Sequence, residues 1–442
     1  MVNIYNTLVR DKQEFTPIIP GKVGLYTCGP TVYNYAHLGN LRTYLFEDFL
    51  KRTLIYNGYE VKHVMNITDV GHLTGDGDMG EDKLEKGAKR EGKTAWEIAD
   101  FYTAEFKKDM ARLNIIDPDI WCKATDYIPE QVNLIKILEE KGYTYNTSDG
   151  VYFDTSKFPA YAKLSHKNLE TLKEGARVER NEEKRNPTDF ALWKLSPEGV
   201  KRHMEWDSPW GIGFPGWHIE CSAMSLALLG DQLDIHCGGI DHIDVHHTNE
   251  IAQSESATGK TFFNYWMHGA FLNIEGGKKM AKSGENFLTL ENAFIKKGIN
   301  PIVYRFAALN VHYRKPMEYN DLAVESAKNG LEHLYNQVRQ YSGIQPGDIS
   351  QDYREKFFAC INDDLNMPKA IALVQDLLRS NLKDQDKIAT LLDFDRVFGL
   401  ELDSIHNPQN DFPEEISLLI QARMAARANK EWNESDRLRI EL

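Results

Sequence analysis

Apolar positions in Lys22-Val23-Gly24-Leu25-Tyr26-Thr27 form a short run that reads as a buried strand, which Gly29-Pro30 breaks. From Leu41 to Ile55 the apolar residues Leu41, Leu45, Phe49 and Leu50 recur at helical spacing, and Asn57-Gly58 stops the helix. A second strand is predicted over Val61 to Ile67, with Lys62 and His63 interleaved. Strand, helix and strand together have the length of a parallel crossover. A third strand runs from Gln232 to His236 into Cys237-Gly238-Gly239-Ile240-Asp241. Sheets of this kind bind ligands beyond the C-terminal ends of their strands, so the ends at Cys28, Thr68 and Cys237 are expected to face one crevice.

The stretch between the second and third strands, about 160 residues, exceeds what a crossover needs and predicts an inserted domain. Within it Gly150-Val151-Tyr152-Phe153-Asp154 reads as a strand, and the charged segment Lys173 to Arg185 as solvated surface or linker. After Glu250 the pattern is mostly helical, with Leu322, Ala327, Leu331, Leu334 and Val338 predicting a bundle. No repeat of fixed period and no low-complexity tract interrupts it.

Composition narrows the class. The 442 residues carry 52 Lys plus Arg against 66 Asp plus Glu, a net charge of -14. That argues against a protein that coats nucleic acid without discrimination, though not against a shaped RNA partner. Five cysteines spread over the chain do not make a disulfide framework and read as reduced thiols in a cytoplasmic protein. The start, Met1-Val2-Asn3-Ile4, lacks a basic stretch followed by an apolar core, and no run of about 18 apolar residues occurs, so neither export nor a membrane span is expected. A chain of this length is expected to hold about two to four domains.

The candidate chemistry lies far apart in the chain. Cys28 ends the first strand, Cys221 stands in Trp217-His218-Ile219-Glu220-Cys221, and His246 and Glu250 have the four-residue helical spacing that lets both grip one ion. Each has an ordinary alternative: a His and Glu so spaced also make exposed ion pairs, and a lone cysteine is often a small buried apolar residue. Around one ion, two thiols, an imidazole and a carboxylate suit zinc better than magnesium or calcium, with iron as the minor alternative. Four protein ligands usually close a structural site, yet zinc can take a fifth, so a substrate thiolate fits where a serine hydroxyl does not. His37-Leu38-Gly39-Asn40 opens the first long helix, where the positive dipole end, an imidazole and an amide can meet phosphate oxygens; the same histidine can equally be only a cap. Lys279-Met280-Ala281-Lys282-Ser283, between Gly276-Gly277 and Gly284, reads as a loop carrying two ammonium groups or as solvated surface.

These motifs resemble the class I aminoacyl-tRNA synthetases, whose signatures are an early His-Ile-Gly-His and a late Lys-Met-Ser-Lys-Ser. Within that class, Thr27-Cys28-Gly29-Pro30-Thr31-Val32-Tyr33, Asn66-Ile67-Thr68-Asp69, the segment Gly216 to Met224 and the segment His246 to Ser254 resemble the cysteinyl-tRNA synthetases, over nearly the whole chain. The resemblance implies that Cys28, Cys221, His246 and Glu250 bind one zinc that holds a cysteine thiolate, and that Gly29, Thr68 and Trp217 line the amino-acid pocket. It further implies that His37 and Asn40 stabilise the reacting phosphates, that Gly238, Gly239 and Asp241 meet the adenosine, and that Lys279 and Lys282 close over ATP and its Mg2+. The partners would be ATP, L-cysteine and tRNA-Cys, and the protein a monomer.

The fold so implied is α/β: a Rossmann-type parallel-sheet catalytic domain in two halves, 1–117 and 205–250, around a connective domain at 118–204. A stem-contact region at 251–320 carries the lysine loop, followed by a C-terminal α-helical bundle at 321–405 and a partial anticodon-binding region at 406–442. Three departures stand out. Asn40 occupies the second-histidine position, Ala281 replaces the middle serine, and the chain stops where the family usually continues. Two other functions share parts of this pattern: a ligase of the same fold joining cysteine to an amino sugar, and a non-catalytic sensor of cysteine or tRNA.

Overall fold

The computed structural model describes residues 1–70, 73, 82–167, 182–197, 199, 202–274, 278–279 and 287–408, together with 418–419, 422–423, 425–427, 429 and 431–441. Its centre is a five-stranded sheet built from β1 (Lys22–Thr27), β2 (Glu60–Ile67), β3 (Ile120–Lys123), β4 (Leu233–Gly239) and β5 (Phe263–Gly269). The spatial order is β5-β4-β1-β2-β3 and every pairing is parallel. Val23, Leu25 and Tyr26 of β1 and all seven residues of β4 are buried, as expected for central strands covered on both faces. The sheet takes in Ile120–Lys123 and Phe263–Gly269, beyond the bounds drawn at residues 118 and 250 from the sequence pattern.

Helix α1 (Leu38–Tyr56) makes the crossover from β1 to β2. It is buried almost all round, and its polar residues Arg42, Asp48, Lys51 and Arg52 are buried too. Each finds a partner rather than water: Arg42 donates to the Ala270 carbonyl at 2.8 Å, Lys51 to that of Asp117 at 2.7 Å, and Arg52 to Asp48 at 2.8 Å. Arg305, wholly buried, donates to the same Asp48 and ties the C-terminal half of the chain to α1.

A separate antiparallel sheet of Thr144–Thr147, Gly150–Phe153, Phe190–Leu195 and Gly213–Pro215 lies between β3 and β4 in the chain. The predicted strand at Gly150 is therefore present. Of the charged segment at 173–185, residues 173–181 lie outside the described residues. Helices α2 (Trp217–Leu229) and α3 (His246–Thr258) flank β4 in sequence and pack together. Beyond β5 the chain is not purely helical, since Leu272–Ile274 pairs with Lys278–Lys279 and with Met317–Tyr319.

The bundle follows, with helices at Asp321–Arg339, Gln351–Ile361, Met367–Arg379 and Asp384–Phe398. Ala327, Leu331, Leu334 and Val338 face its interior, but Leu322 is 84% exposed. Spacings of four, three and four residues keep the former set on one stripe, whereas the five-residue step back to Leu322 turns it off that face. Among the described residues no helix is long and apolar enough to cross a membrane.

Candidate active site

Cys28 follows directly on β1, its N-H donating to the Cys237 carbonyl at 3.2 Å. Cys221 stands in the second turn of α2, and His246 and Glu250 occupy the first two turns of α3. Their ligand atoms all lie within 4.8 Å of one another, and the four residues are at most 6% exposed. The His246 Nε2 to Glu250 Oε1 distance is 2.9 Å. The pair is therefore not a surface ion pair, and neither cysteine sits in a purely apolar surround.

A second set, Cys28, His236, His247 and Glu250, meets the same limit. His236 Nε2 lies 2.9 Å from Glu250 Oε2, and His247 Nε2 lies 3.4 Å from the Cys28 sulfur. Behind them His247 Nδ1 contacts His268 Nε2 at 2.8 Å, whose Nδ1 contacts the Thr7 hydroxyl at 2.8 Å. His246 Nδ1 lies 2.9 Å from His218 Nδ1. Such outer contacts orient imidazoles around a metal. The sequence reading missed His218, His236, His247 and His268. His247 was legible as the neighbour of His246, but nothing in the sequence around His268 marks it.

The electrostatics fit a cation. The Cys28 contact, working against burial and helped by His246, pulls the Cys221 thiol down to about 6, while burial pushes that of Cys28 well up. Burial would lower His246, but Glu250 and Cys221 hold it at about 10; burial would raise Glu250, but His236 and His246 hold it at about 2. Glu250 Oε1 has no aligned hydrogen-bond donor. A buried anionic oxygen among two sulfurs and two imidazoles is suited to a soft divalent ion, whose uptake would displace protons from Cys28 and His246.

Beside the cluster, Gly29 donates its N-H to Asn66 Oδ1 at 2.8 Å, and Asn66 Nδ2 donates to the Thr68 hydroxyl at 3.0 Å. Thr68 continues β2 and bridges Thr31, so the segments after β1 and β2 run side by side. Trp217 starts α2 and lays its ring 4.4 Å from that of His246. Glu220, next to Cys221, is wholly buried, and burial pushes its carboxyl well up.

His37 is the N-cap of α1. Its Nδ1 accepts the Asn40 N-H at 3.1 Å, and Asn40 Oδ1 accepts the His37 N-H at 3.3 Å, a reciprocal capping box. The cap reading of this histidine is thus correct, and Asn40 completes it. With Nδ1 as acceptor, the neutral ring carries its proton on Nε2. Leu38 N-H donates to the Leu288 carbonyl at 2.9 Å and the His37 ring meets Phe287 edge-on. The backbone of Lys279 pairs with Asn273. Both flanks of the lysine loop are therefore anchored, the later one against His37, while Lys282 lies outside the described residues. Gly238 and Gly239 end β4, where a Cβ would fall 2.6 Å from His242 Nδ1 and 2.4 Å from Asp241 Oδ1 respectively. Asp241 is exposed in the short turn that follows.

Residues 14–329 match the family described as the class I tRNA synthetase (C) catalytic domain. A cysteine-tRNA ligase of Burkholderia lata is 49% identical over 99% of this chain and 92% of its own length. One from Treponema denticola is 46% identical, over 100% and 96%.

This chain belongs to the cysteine-tRNA ligase family.

Among solved structures, the methionyl-tRNA synthetase of Mycobacterium tuberculosis with methionyl-adenylate superposes with a TM-score of 0.57 at 15% identity, covering 88% of this chain and 92% of that one. The LeuRS of Agrobacterium radiobacter K84, in a ternary complex with tRNA, gives 0.59 at 12%, over 89% and 85%. At such identities the likeness speaks to fold alone. The parallel sheet, its helices and the helical C-terminal region are those of the class I aminoacyl-tRNA ligases, the enzymes to which the cysteine-tRNA ligase family belongs.

Proposed function

We propose that this chain activates L-cysteine with ATP, forming cysteinyl-adenylate and pyrophosphate, and then transfers cysteine to the 3' end of tRNA-Cys. The observation that carries this reading is the convergence of two thiols, an imidazole and a carboxylate at the C-terminal end of the sheet, beside the capped N-terminus of α1. In this reading Cys28, Cys221, His246 and Glu250 hold one zinc ion per chain. Zinc there would supply a Lewis-acid site for a thiolate, which the hydroxyl of serine does not match.

The chain's own groups do the rest. Gly29, Thr68 and Trp217 line the amino-acid pocket and hold the cysteine carboxylate in line with the α-phosphate. The carboxylate attacks that phosphorus, and pyrophosphate leaves. His37 Nε2-H, the first N-H groups of α1 and the Lys279 and Lys282 ammonium groups meet the phosphate oxygens as charge shifts onto them, with Mg2+ accompanying ATP. Gly238 and Gly239 give the adenosine close backbone approach, with Asp241 at its edge. Catalysis is then mainly alignment and charge stabilisation. A cytoplasmic monomer is the form this reading expects.

The test is cysteine-dependent exchange of pyrophosphate into ATP, followed by charging of a tRNA-Cys transcript. Exchange and charging support the reading. Exchange without charging, stimulated by an amino sugar, would make the chain a cysteine:amino-sugar ligase. No exchange from a zinc-loaded protein would make it a sensor.

A further inference from the structure

Helix α3, which carries His246 and Glu250, is buried but largely polar. His247, Thr248, Asn249, Gln253 and Ser254 are buried along with the two ligands, against three buried apolar residues, Ile251, Ala252 and Ala257. Apolar burial is non-directional, and here there is little of it, so the position of the helix depends on hydrogen bonds. Its N-cap, Val245, supplies none from its side chain. Yet the ligands stand in the first two turns, where a helix leaves backbone N-H groups without partners of its own.

The inserted domain supplies a restraint. Its residues 161–167 run along α3 and grip it with three side chains. The Tyr161 hydroxyl lies between Asn249 Oδ1 and the Thr188 carbonyl, 3.4 Å away, and its single proton goes to the nearer Asn249. Lys163 Nζ pairs with Glu255 at 2.5 Å in the third turn, and Lys167 Nζ with Asp244 at 2.6 Å, just before the helix begins. The other side of this strap is tied down as well. Arg10 donates to the Ser165 carbonyl at 3.0 Å and His166 Nε2 to the Leu8 carbonyl at 2.9 Å, both from the turn between the paired strands Asn3–Asn6 and Asp11–Glu14. His166 has a φ of 52°, a left-handed conformation that is uncommon outside glycine. Such strain persists only where the surroundings over-determine it.

Of the three grips, that of Tyr161 bears on the metal. The two lysine pairs are the more exposed, and pairs of that kind contribute little, whereas Tyr161 and Asn249 are 5% and 1% exposed. Asn249 stands three residues after His246 and next to Glu250, in the stretch of helix that presents both ligand atoms. We infer that Tyr161 is a positioning residue for the metal cluster: by holding Asn249 it sets the first two turns of α3, so a strap from the inserted domain governs how tightly the ion is bound. This rests on the reading of Cys28, Cys221, His246 and Glu250 as zinc ligands.

The experiment compares wild type with Tyr161→Phe, which keeps the ring and removes only the hydroxyl. Zinc affinity is measured by competition with a chelator, and amide hydrogen exchange is followed in the zinc-free protein. The expected result is a zinc affinity lowered about fivefold, or about 1 kcal/mol, the size of one buried hydrogen bond. Amides at 246–250 should exchange faster while those of the bundle at 321–398 do not, and the cysteine KM should rise with the ATP KM within twofold. A zinc affinity within twofold of wild type, or exchange raised equally throughout the chain, would overturn the role of Tyr161. Should that variant not fold, Asn249→Ala removes the acceptor without weakening helix propensity and must show the same loss of zinc; an unchanged zinc affinity there would overturn the inference. A wild type that takes up no zinc would instead sink the reading of the cluster, and the inference with it.

Discussion

A Cβ at Gly29 would fall 1.6 Å from the carbonyl oxygen of Asn66. No side-chain adjustment relieves a clash between a Cβ and backbone, so residue 29 and the end of β2 must separate for any other amino acid to fit. Gly29→Ala is therefore expected to break the Gly29 to Asn66 hydrogen bond and to displace Cys28 beside it. The measured outcome should be a lower Tm together with at least a hundredfold loss of cysteine-dependent exchange. A variant with wild-type Tm and exchange would show that this close approach is not needed.

The capping role of His37 can be separated from its chemistry. His37→Ala removes the acceptor for the Asn40 N-H, which should cost about 1 kcal/mol of stability as well as activity. His37→Asn keeps a good N-cap but loses the imidazole Nε2-H. Stability close to wild type with exchange slowed at least tenfold is the expected result for His37→Asn. Equal activity of His37→Asn and wild type would reduce His37 to a cap.

Lys282→Ala should slow adenylate formation more than tenfold, or about 1.4 kcal/mol of barrier, with cysteine affinity little altered. Single-turnover measurement of adenylate checks it. A wild-type rate would leave the lysine loop as surface.

What could be read in the sequence followed from local rules. His246 and Glu250 share a helix face at a spacing visible in the chain, and Cys28 ends an apolar run at the place where parallel strands present ligands. His236 and His268 escaped because their partners come from elements scattered through the chain. His268 contacts Thr7, 261 residues away, and no periodicity encodes that. The same holds for α1. Its pattern announces a helix, but polar Arg42, Asp48 and Arg52 look alike whether they face water or, as here, a buried set of carbonyls and Arg305. The strands at Ile120–Lys123 and Leu272–Ile274 were missed because they are four and three residues long, too short to show alternation.

Cys221→Ser should lower zinc content and cysteine affinity together while leaving the ATP KM near wild type. The serine hydroxyl keeps the shape of the thiol but does not ionise in its place, so the anionic ligand that His246 and Cys28 now favour at residue 221 is lost. Zinc titration beside the two KM values checks this. An unchanged cysteine affinity would take the metal cluster out of the substrate site.

The junction between α1 and the C-terminal half should show in the pH dependence of stability. Burial opposes ionisation of Asp48, but Arg305 and Arg52 hold its carboxyl below the ordinary value of 3.8. The carboxyl is lower in the folded than in the unfolded chain, so its contribution is complete above the unfolded value and is lost as pH falls through the folded one. Asp48 and Arg305 are both wholly buried, and removing one partner of such a pair costs about 3–5 kcal/mol. Asp48→Asn should therefore lower the urea midpoint at pH 7. The gap to wild type should stay constant from pH 7 to pH 5 and begin to close only below the ordinary carboxyl value. A gap that closed near neutral pH would assign the stabilisation to a histidine instead, and Asp48 would no longer be the group that fastens Arg305 to α1.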